Sequence, residues 1–163
     1  GNRYAKEDIP AMTTSITFEQ NYSGIDGDSA SSTELYVIIS SIAGIPINQG
    51  IAVTGSMSQK GEIQPIGGVN EKIEGYYDVC RIKGLTGKQG VIIPIQNVKN
   101  LMLRDDIIKS VEEGQFHIYA ISNVEEGLQI LTGLTIAKID EKVKAAFKKF
   151  SENCDEKKSE KGE

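Results

Sequence analysis

Histidine and cysteine are scarce in this sequence. The 163 residues include one histidine, His117, two cysteines, Cys80 and Cys154, and no tryptophan. A single histidine excludes a histidine-rich metal site. Cys80 falls in an apolar helical pattern and Cys154 in a charged tail, which indicates free thiols in a reducing, cytoplasmic compartment. A Cys80–His117 nucleophile pair stays open as an alternative, although neither residue falls in a loop suited to catalysis.

Basic charge and long apolar runs are also lacking. The net charge is −5, whereas a nucleic-acid-binding face usually shows as a basic excess, so we expect no nucleic-acid partner. No apolar run approaches the roughly 20 residues that span a bilayer, and no secretory signal peptide is visible. Gly1 has the look of a fragment start, so targeting or a membrane anchor in other regions is left open.

The periodicity of apolar residues predicts one domain of mixed strands and helices. We expect strands at 14–20, 51–55, 62–66, 90–95 and 116–120, and helices at 29–43, 67–83, 97–103, 105–113, 123–132 and 136–150. Strands and helices do not alternate strictly, so the pattern favours an α+β or α/β fold with a mixed sheet. Residues 1–150 form the predicted domain, and the polar residues 151–163 are predicted to be a disordered tail.

Capping patterns place three of the predicted helix starts. Ser31 with Glu34 and Ser122 with Glu125 have the spacing of capping boxes. Asn97 is the predicted cap of the helix that ends near Leu103.

The first candidate for chemistry is Ser29, in the run Asp26-Gly27-Asp28-Ser29-Ala30-Ser31. This run lies between a predicted strand and a buried helix. Free N–H groups and the helix dipole at such a start can stabilise the oxyanion of an acyl-transfer intermediate. The plainer interpretation is that Asp28 or Ser29 only caps the helix.

The second candidate is Lys72, in the run Gly67-Gly68-Val69-Asn70-Glu71-Lys72-Ile73. Lys72 shares a helical stripe with Val69, Tyr76 and Val79, and loss of hydration on an apolar stripe lowers a lysine pKa toward the range of a general base. A lysine at the edge of the core is the plainer interpretation. Thr54, at the end of a short strand, is a candidate to orient the amine, or a strand threonine without a role.

A lysine base suits Ser29, because the one histidine falls within a predicted strand and no His–Asp pair is evident. Together the motifs resemble the proteolytic domain of the Lon protease family, peptidase family S16. The run around Ser29 resembles that family's catalytic-serine motif. Val53-Thr54-Gly55-Ser56 and the run from Gly61 to Lys72 resemble its catalytic-lysine block, and Gly90 to Pro94 resembles the strand that follows. The resemblance covers about residues 13 to 133.

The resemblance implies a ribosomal protein S5 domain 2-like fold and an ATP-dependent serine endopeptidase for unfolded or damaged protein, assembled as a homo-hexamer in protein quality control. ATP and magnesium would bind a separate AAA+ domain, because this chain has no G-x-x-x-x-G-K-[ST] phosphate loop. We therefore expect no cofactor and no metal in this domain. The resemblance also implies that the chain starts after the first strands of the family domain.

The residues flanking Ser29 indicate the branch. Asp28 stands where many bacterial Lon proteins have proline, and Ser31 where they have glycine; together with Asp26 these resemble the archaeal-type, or LonB-like, branch. In that branch the aspartate can pair with the lysine, so we expect an off state in which Asp28 holds Lys72 away from Ser29. An alternative from another class is a non-peptidase Lon-like scaffold of RadA type, but such domains lack the serine–lysine pair.

Overall fold

The chain folds into helices around short strands. The structure, a computed structural model, describes residues 13–17 and 27–159. Its elements are α1 (Ser31–Ala43), β1 (Ile51–Val53), β2 (Ser56–Met57), β3 (Ile63–Gln64), α2 (Val69–Lys83), β4 (Gln89–Pro94), a 3-10 helix (Ile95–Asn100), α3 (Asp105–Glu112), β5 (Phe116–Ile121), α4 (Val124–Thr132) and α5 (Ile136–Ser159). Parallel and antiparallel strand pairs both occur among helices, which confirms the predicted α+β class.

Two small sheets organise these elements. β1, β4 and β5 form a parallel sheet in the order β1-β4-β5, and β2 and β3 form an antiparallel pair. The central strand, β4, is buried at every residue after Gln89. A continuous apolar run of this kind is typical of a parallel strand that is covered on both faces.

The parallel sheet separates two apolar layers. Ile92 of β4 packs with α1, α4 and α5, whereas Val91 and Ile93 face the opposite layer with α2 and α3. This alternation follows from the two-residue period of a strand. The first turn of α1 lies beside the carboxyl end of β1, because Ser32 donates to the Gly55 carbonyl, and α2 packs in the opposite layer.

The bounds of most predicted elements agree with the structure, but three predicted caps do not. Ser31 and Glu34 form no capping box, because Ala30 is the residue before α1 and caps it with no side-chain bond. Asn97 lies inside the 3-10 helix, so it does not cap a helix that runs to Leu103. The cap of α4 is shifted by one residue: Asn123 accepts the Glu126 N–H, and the Glu126 carboxylate accepts the Ser122 N–H in return.

The two ends of the domain also differ from the sequence-based predictions. Residues 13–17 have no regular secondary structure, and the remainder of the predicted 14–20 strand lies outside the described residues. None of the described strands pairs with residues 13–17, and an unpaired segment has no ladder hydrogen bonds. At the other end, α5 continues from the predicted limit at Phe150 to Ser159. Lysine and glutamate favour helix, and Lys148 and Glu152 approach each other to 4.0 Å across one turn.

Candidate active site

Ser29 lies on the turn that leads into α1, and this turn is hydrogen-bonded to the segment after β1. The Ser29 carbonyl accepts the Gly55 N–H at 2.8 Å. In the opposite direction the Gly55 carbonyl accepts both the Ser32 hydroxyl, at 2.8 Å, and the Ser32 N–H, at 3.3 Å. Ser32 is fully buried, so its hydroxyl needs such a partner. These bonds fix the backbone that carries the Ser29 side chain.

Two more side chains join the same pair of segments. The Ser56 hydroxyl donates to the Asp28 carboxylate at 2.7 Å, and the Met57 N–H donates to Ser31 Oγ at 3.2 Å. Asp28 and Ser31 therefore connect α1 to β2 and do not cap α1. Asp28 and Lys72 form no ion pair within the described part of the chain, so the off state in which Asp28 holds Lys72 stays a prediction.

Lys72 lies near the start of α2, and its amine reaches across to the Ser29 turn. Lys72 Nζ is 3.0 Å from Ser29 Oγ and 3.3 Å from Thr54 Oγ1. The Thr54 hydroxyl, which is buried, also lies 3.4 Å from the Ser29 carbonyl oxygen. The structure thus brings together the three residues that the sequence singled out, from three different elements.

The surroundings of Lys72 are not those that the sequence predicted. We expected an apolar stripe of α2 to cover Lys72, but α2 buries a neighbouring stripe, formed by Val69, Ile73, Tyr77 and Cys80. Lys72 is exposed, and Val79 is 47% exposed. The helix was placed correctly, but its rotation about its own axis was wrong. Desolvation of Lys72 therefore does not come from its own helix.

An open cleft of about 330 Å³ adjoins these side chains. Its walls are lined by Ser29, Ala30, Ala52, Val53, Thr54, Lys72 and Val91. The lining is apolar except for the hydroxyl groups of Ser29 and Thr54 and the amine of Lys72. Such a cleft can hold an acyl group against Ser29 while Lys72 exchanges a proton with the serine.

Comparisons with known proteins identify the family of this chain. The sequence model of the Lon protease (S16) C-terminal proteolytic domain matches residues 7–133. The chain belongs to this family. It is 52% identical over 129 residues to a protein named "Putative Lon protease homolog" from Escherichia coli (strain K12), an alignment that covers 79% of this chain and 22% of the relative.

An archaeal relative supports the predicted branch of the Lon family. The chain is 38% identical to the Archaeal Lon protease of Archaeoglobus fulgidus, over 78% of this chain and 18% of that protein. A "Putative Lon protease homolog" of Haemophilus influenzae is 44% identical over 77% of this chain and 22% of the relative. This Lon-family chain thus spans about a fifth of the length of these relatives.

The other residues that the sequence suggested for chemistry do not line this cleft in the described part of the chain. Cys80 is buried in the layer beneath α2, and His117 contacts the Gly87 carbonyl at 2.8 Å, so the alternative Cys80–His117 pair is not assembled. Asp26 lies outside the described residues. None of the described helices combines the length and apolar character that a bilayer span requires.

A cluster of ion pairs joins α2 to the start of α3. Arg104 donates to the carboxylates of Asp78, at 2.7 Å, and Asp106, at 3.1 Å, and these bonds hold the pKa of both carboxyl groups below their usual range. Within residues 13–17 and 27–159, no group of three or more histidine, cysteine, aspartate or glutamate side chains is placed to hold a metal.

Sequence reasoning missed Ser32 and Ser56, the two buried serines that hold the Ser29 turn. The available signal was the predicted burial of the helix that contains Ser32. A serine within an apolar helix must find a hydrogen-bond partner, and here the partner is the backbone of Gly55.

Proposed function

We propose that this domain is a serine endopeptidase in which Ser29 is the nucleophile and Lys72 is its general base. The observation that carries the proposal is the 3.0 Å separation between Lys72 Nζ and Ser29 Oγ. In its neutral form the amine accepts the serine proton while Ser29 Oγ attacks the scissile carbonyl. The resulting ammonium then donates that proton to the leaving amine.

The oxyanion of the intermediate needs N–H donors at the same turn. The N–H groups of Ser31 and Ser32 are already donated to the carbonyls of Asp28 and Gly55. We therefore assign the oxyanion hole to the N–H groups of Ser29 and Ala30, at the positive end of the α1 dipole.

The exposure of Lys72 implies that other groups complete the site. A lysine amine acts as a base only in its neutral form, which loss of hydration favours. Bound substrate and a neighbouring subunit would exclude water from Lys72 and favour its neutral form. We propose that water is excluded in this way within a homo-hexameric ring that admits unfolded or damaged protein. A separate AAA+ domain of the same protein, which binds ATP and magnesium, would deliver the substrate to the ring.

The proposal is tested with Ser29→Ala and Lys72→Ala in the full-length protein, assayed for casein cleavage and for ATP hydrolysis. Each substitution removes one member of the dyad, so each is expected to abolish cleavage and to leave ATP hydrolysis intact. Matched controls are Ser41→Ala, on the exposed face of α1, and Lys60→Ala, on the exposed turn after β2. Proteolysis that survives in either dyad variant would exclude the dyad.

A further inference from the structure

Asn97, in the 3-10 helix after β4, makes a two-point contact with the backbone just ahead of α2. Its amide oxygen accepts the Ile66 N–H at 3.0 Å, and its amide nitrogen donates to the Ile66 carbonyl at 2.8 Å. Asn97 is only 4% exposed, and both ends of its amide bond to the same residue. This geometry imitates a strand pair and fixes the Ile66 peptide in position and orientation.

The segment that Asn97 binds leads directly into the first turn of α2, which carries Lys72. Ile66 is followed by Gly67 and Gly68, and Gly68 has the left-handed conformation, with φ of 66°, that starts α2. The Lys72 N–H then donates to the Gly68 carbonyl at 3.2 Å. The two glycines carry no side chain that could anchor this stretch, and both are exposed. The anchor must therefore act on the backbone, as the Asn97 amide does.

Neighbouring contacts strengthen the same connection. The Gln96 amide donates to the Ile63 carbonyl at 3.0 Å, three residues before Ile66. Asn70, in the first turn of α2, accepts the Met102 N–H at 3.0 Å and donates to the Asn100 carbonyl. Asn97 is the buried residue among these three, so its amide and the Ile66 backbone cannot bond to water if their contact is lost.

We propose that Asn97 is the positioning residue for Lys72: its amide fixes the start of α2 so that the lysine amine lies within hydrogen-bonding distance of Ser29. The inference rests on the proposed function, because it concerns the geometry of the same dyad. Asn97 does not touch the reacting atoms. A displacement of about 1 Å in a catalytic group can lower a rate by roughly a hundredfold, so a loosened α2 start acts mainly on turnover.

The test compares Asn97→Leu and Asn97→Asp in the full-length protein. Asn97→Leu is close in shape and removes both hydrogen bonds, whereas Asn97→Asp keeps an acceptor for the Ile66 N–H and loses the donor. The matched control is Asn123→Ala, which removes the cap of α4 on another element and lowers stability by a cap's usual contribution. The measurements are kcat and KM on a fluorogenic peptide, the rate of Ser29 labelling by a fluorophosphonate, and the melting temperature.

We expect kcat and the labelling rate to fall together by roughly ten- to a hundredfold in Asn97→Leu and by less in Asn97→Asp, with KM changed less than about twofold. Asn123→Ala should keep normal kcat below its melting temperature. If folded Asn97 variants behave like Asn123→Ala, or if both Asn97 variants fail to fold, the positioning role is overturned. Those outcomes leave the dyad standing, whereas activity in Ser29→Ala would remove the dyad and the inference together.

Discussion

Thr54→Val tests how much the orientation of Lys72 contributes to turnover. Valine is close to threonine in volume, so the substitution removes the hydroxyl and little else. The Thr54 hydroxyl is buried, lies 3.3 Å from Lys72 Nζ and lies 3.4 Å from the Ser29 carbonyl oxygen. Thr54→Val therefore frees the amine to leave Ser29 while the strand and its neighbours keep their packing.

The size of the effect follows from the length of these contacts. A well-formed hydrogen bond to a charged group contributes about 1.5–3 kcal/mol, but 3.3 Å is beyond the usual range for N–H···O bonds. We therefore expect Thr54→Val to raise the activation free energy by about 1–1.5 kcal/mol, which corresponds to a roughly five- to tenfold lower kcat. The free energy of unfolding should change by less than about 1 kcal/mol, because the Ser29 carbonyl keeps its 2.8 Å bond from the Gly55 N–H.

The assay is hydrolysis of a fluorogenic peptide, with urea unfolding measured in parallel. Thr54→Ser is the matched control, since it keeps the hydroxyl and loses only the methyl group, and it should retain most of the wild-type kcat. Equal rates in Thr54→Val and wild type would refute an orienting role. Equal losses in Thr54→Val and Thr54→Ser would assign the effect to packing.

Three further predictions concern Asp28, Gly127 and Gly75. Asp28→Asn keeps an acceptor for the Ser56 hydroxyl, so the protein should fold, but it removes the charge that would hold Lys72. The predicted off state therefore requires a higher basal peptidase rate in Asp28→Asn, and a rate within about twofold of wild type in a folded protein would exclude it. Gly127→Ala should lower the free energy of unfolding by about 1–3 kcal/mol, because an added Cβ would overlap the Tyr36 hydroxyl, and urea titration measures this. Gly75 lies in mid-helix, where an added Cβ would meet open space, so Gly75→Ala should raise the free energy of unfolding by about 0.5–1 kcal/mol. A decrease would show that the exposed face of α2 is in close contact with another surface.

Local signals predicted those parts of the fold that depend on short-range chemistry. The helix predicted at 67–83 agrees with α2 to within two residues, because the glycines that open it and its apolar periodicity are local features of the sequence. The continuous apolar run of β4 likewise predicted a buried strand. Ser29, Thr54 and Lys72 were singled out in the same way, through ordered motifs that resemble the Lon family.

Contacts between distant residues were not readable. Ser31 has the spacing of a capping box with Glu34, but its hydroxyl is taken by the Met57 N–H from β2. Asn97 has the character of a cap, but its amide finds the Ile66 backbone, 31 residues away. The exposure of Lys72 depends on how α2 rotates against β4, which is settled by packing rather than by the composition of the helix.

The most direct measurement of the central claim is mass spectrometry of the full-length protein after reaction with a fluorophosphonate. A serine activated by a lysine base reacts at its own hydroxyl, so the adduct should map to Ser29 and should be lost, or slowed at least tenfold, in Lys72→Ala. Lys60→Ala should label like the wild type. An adduct on another residue, labelling of Ser29 that is indifferent to Lys72, or no labelling of an assembled protein would contradict the Ser29–Lys72 dyad, and the last result would favour a non-peptidase scaffold.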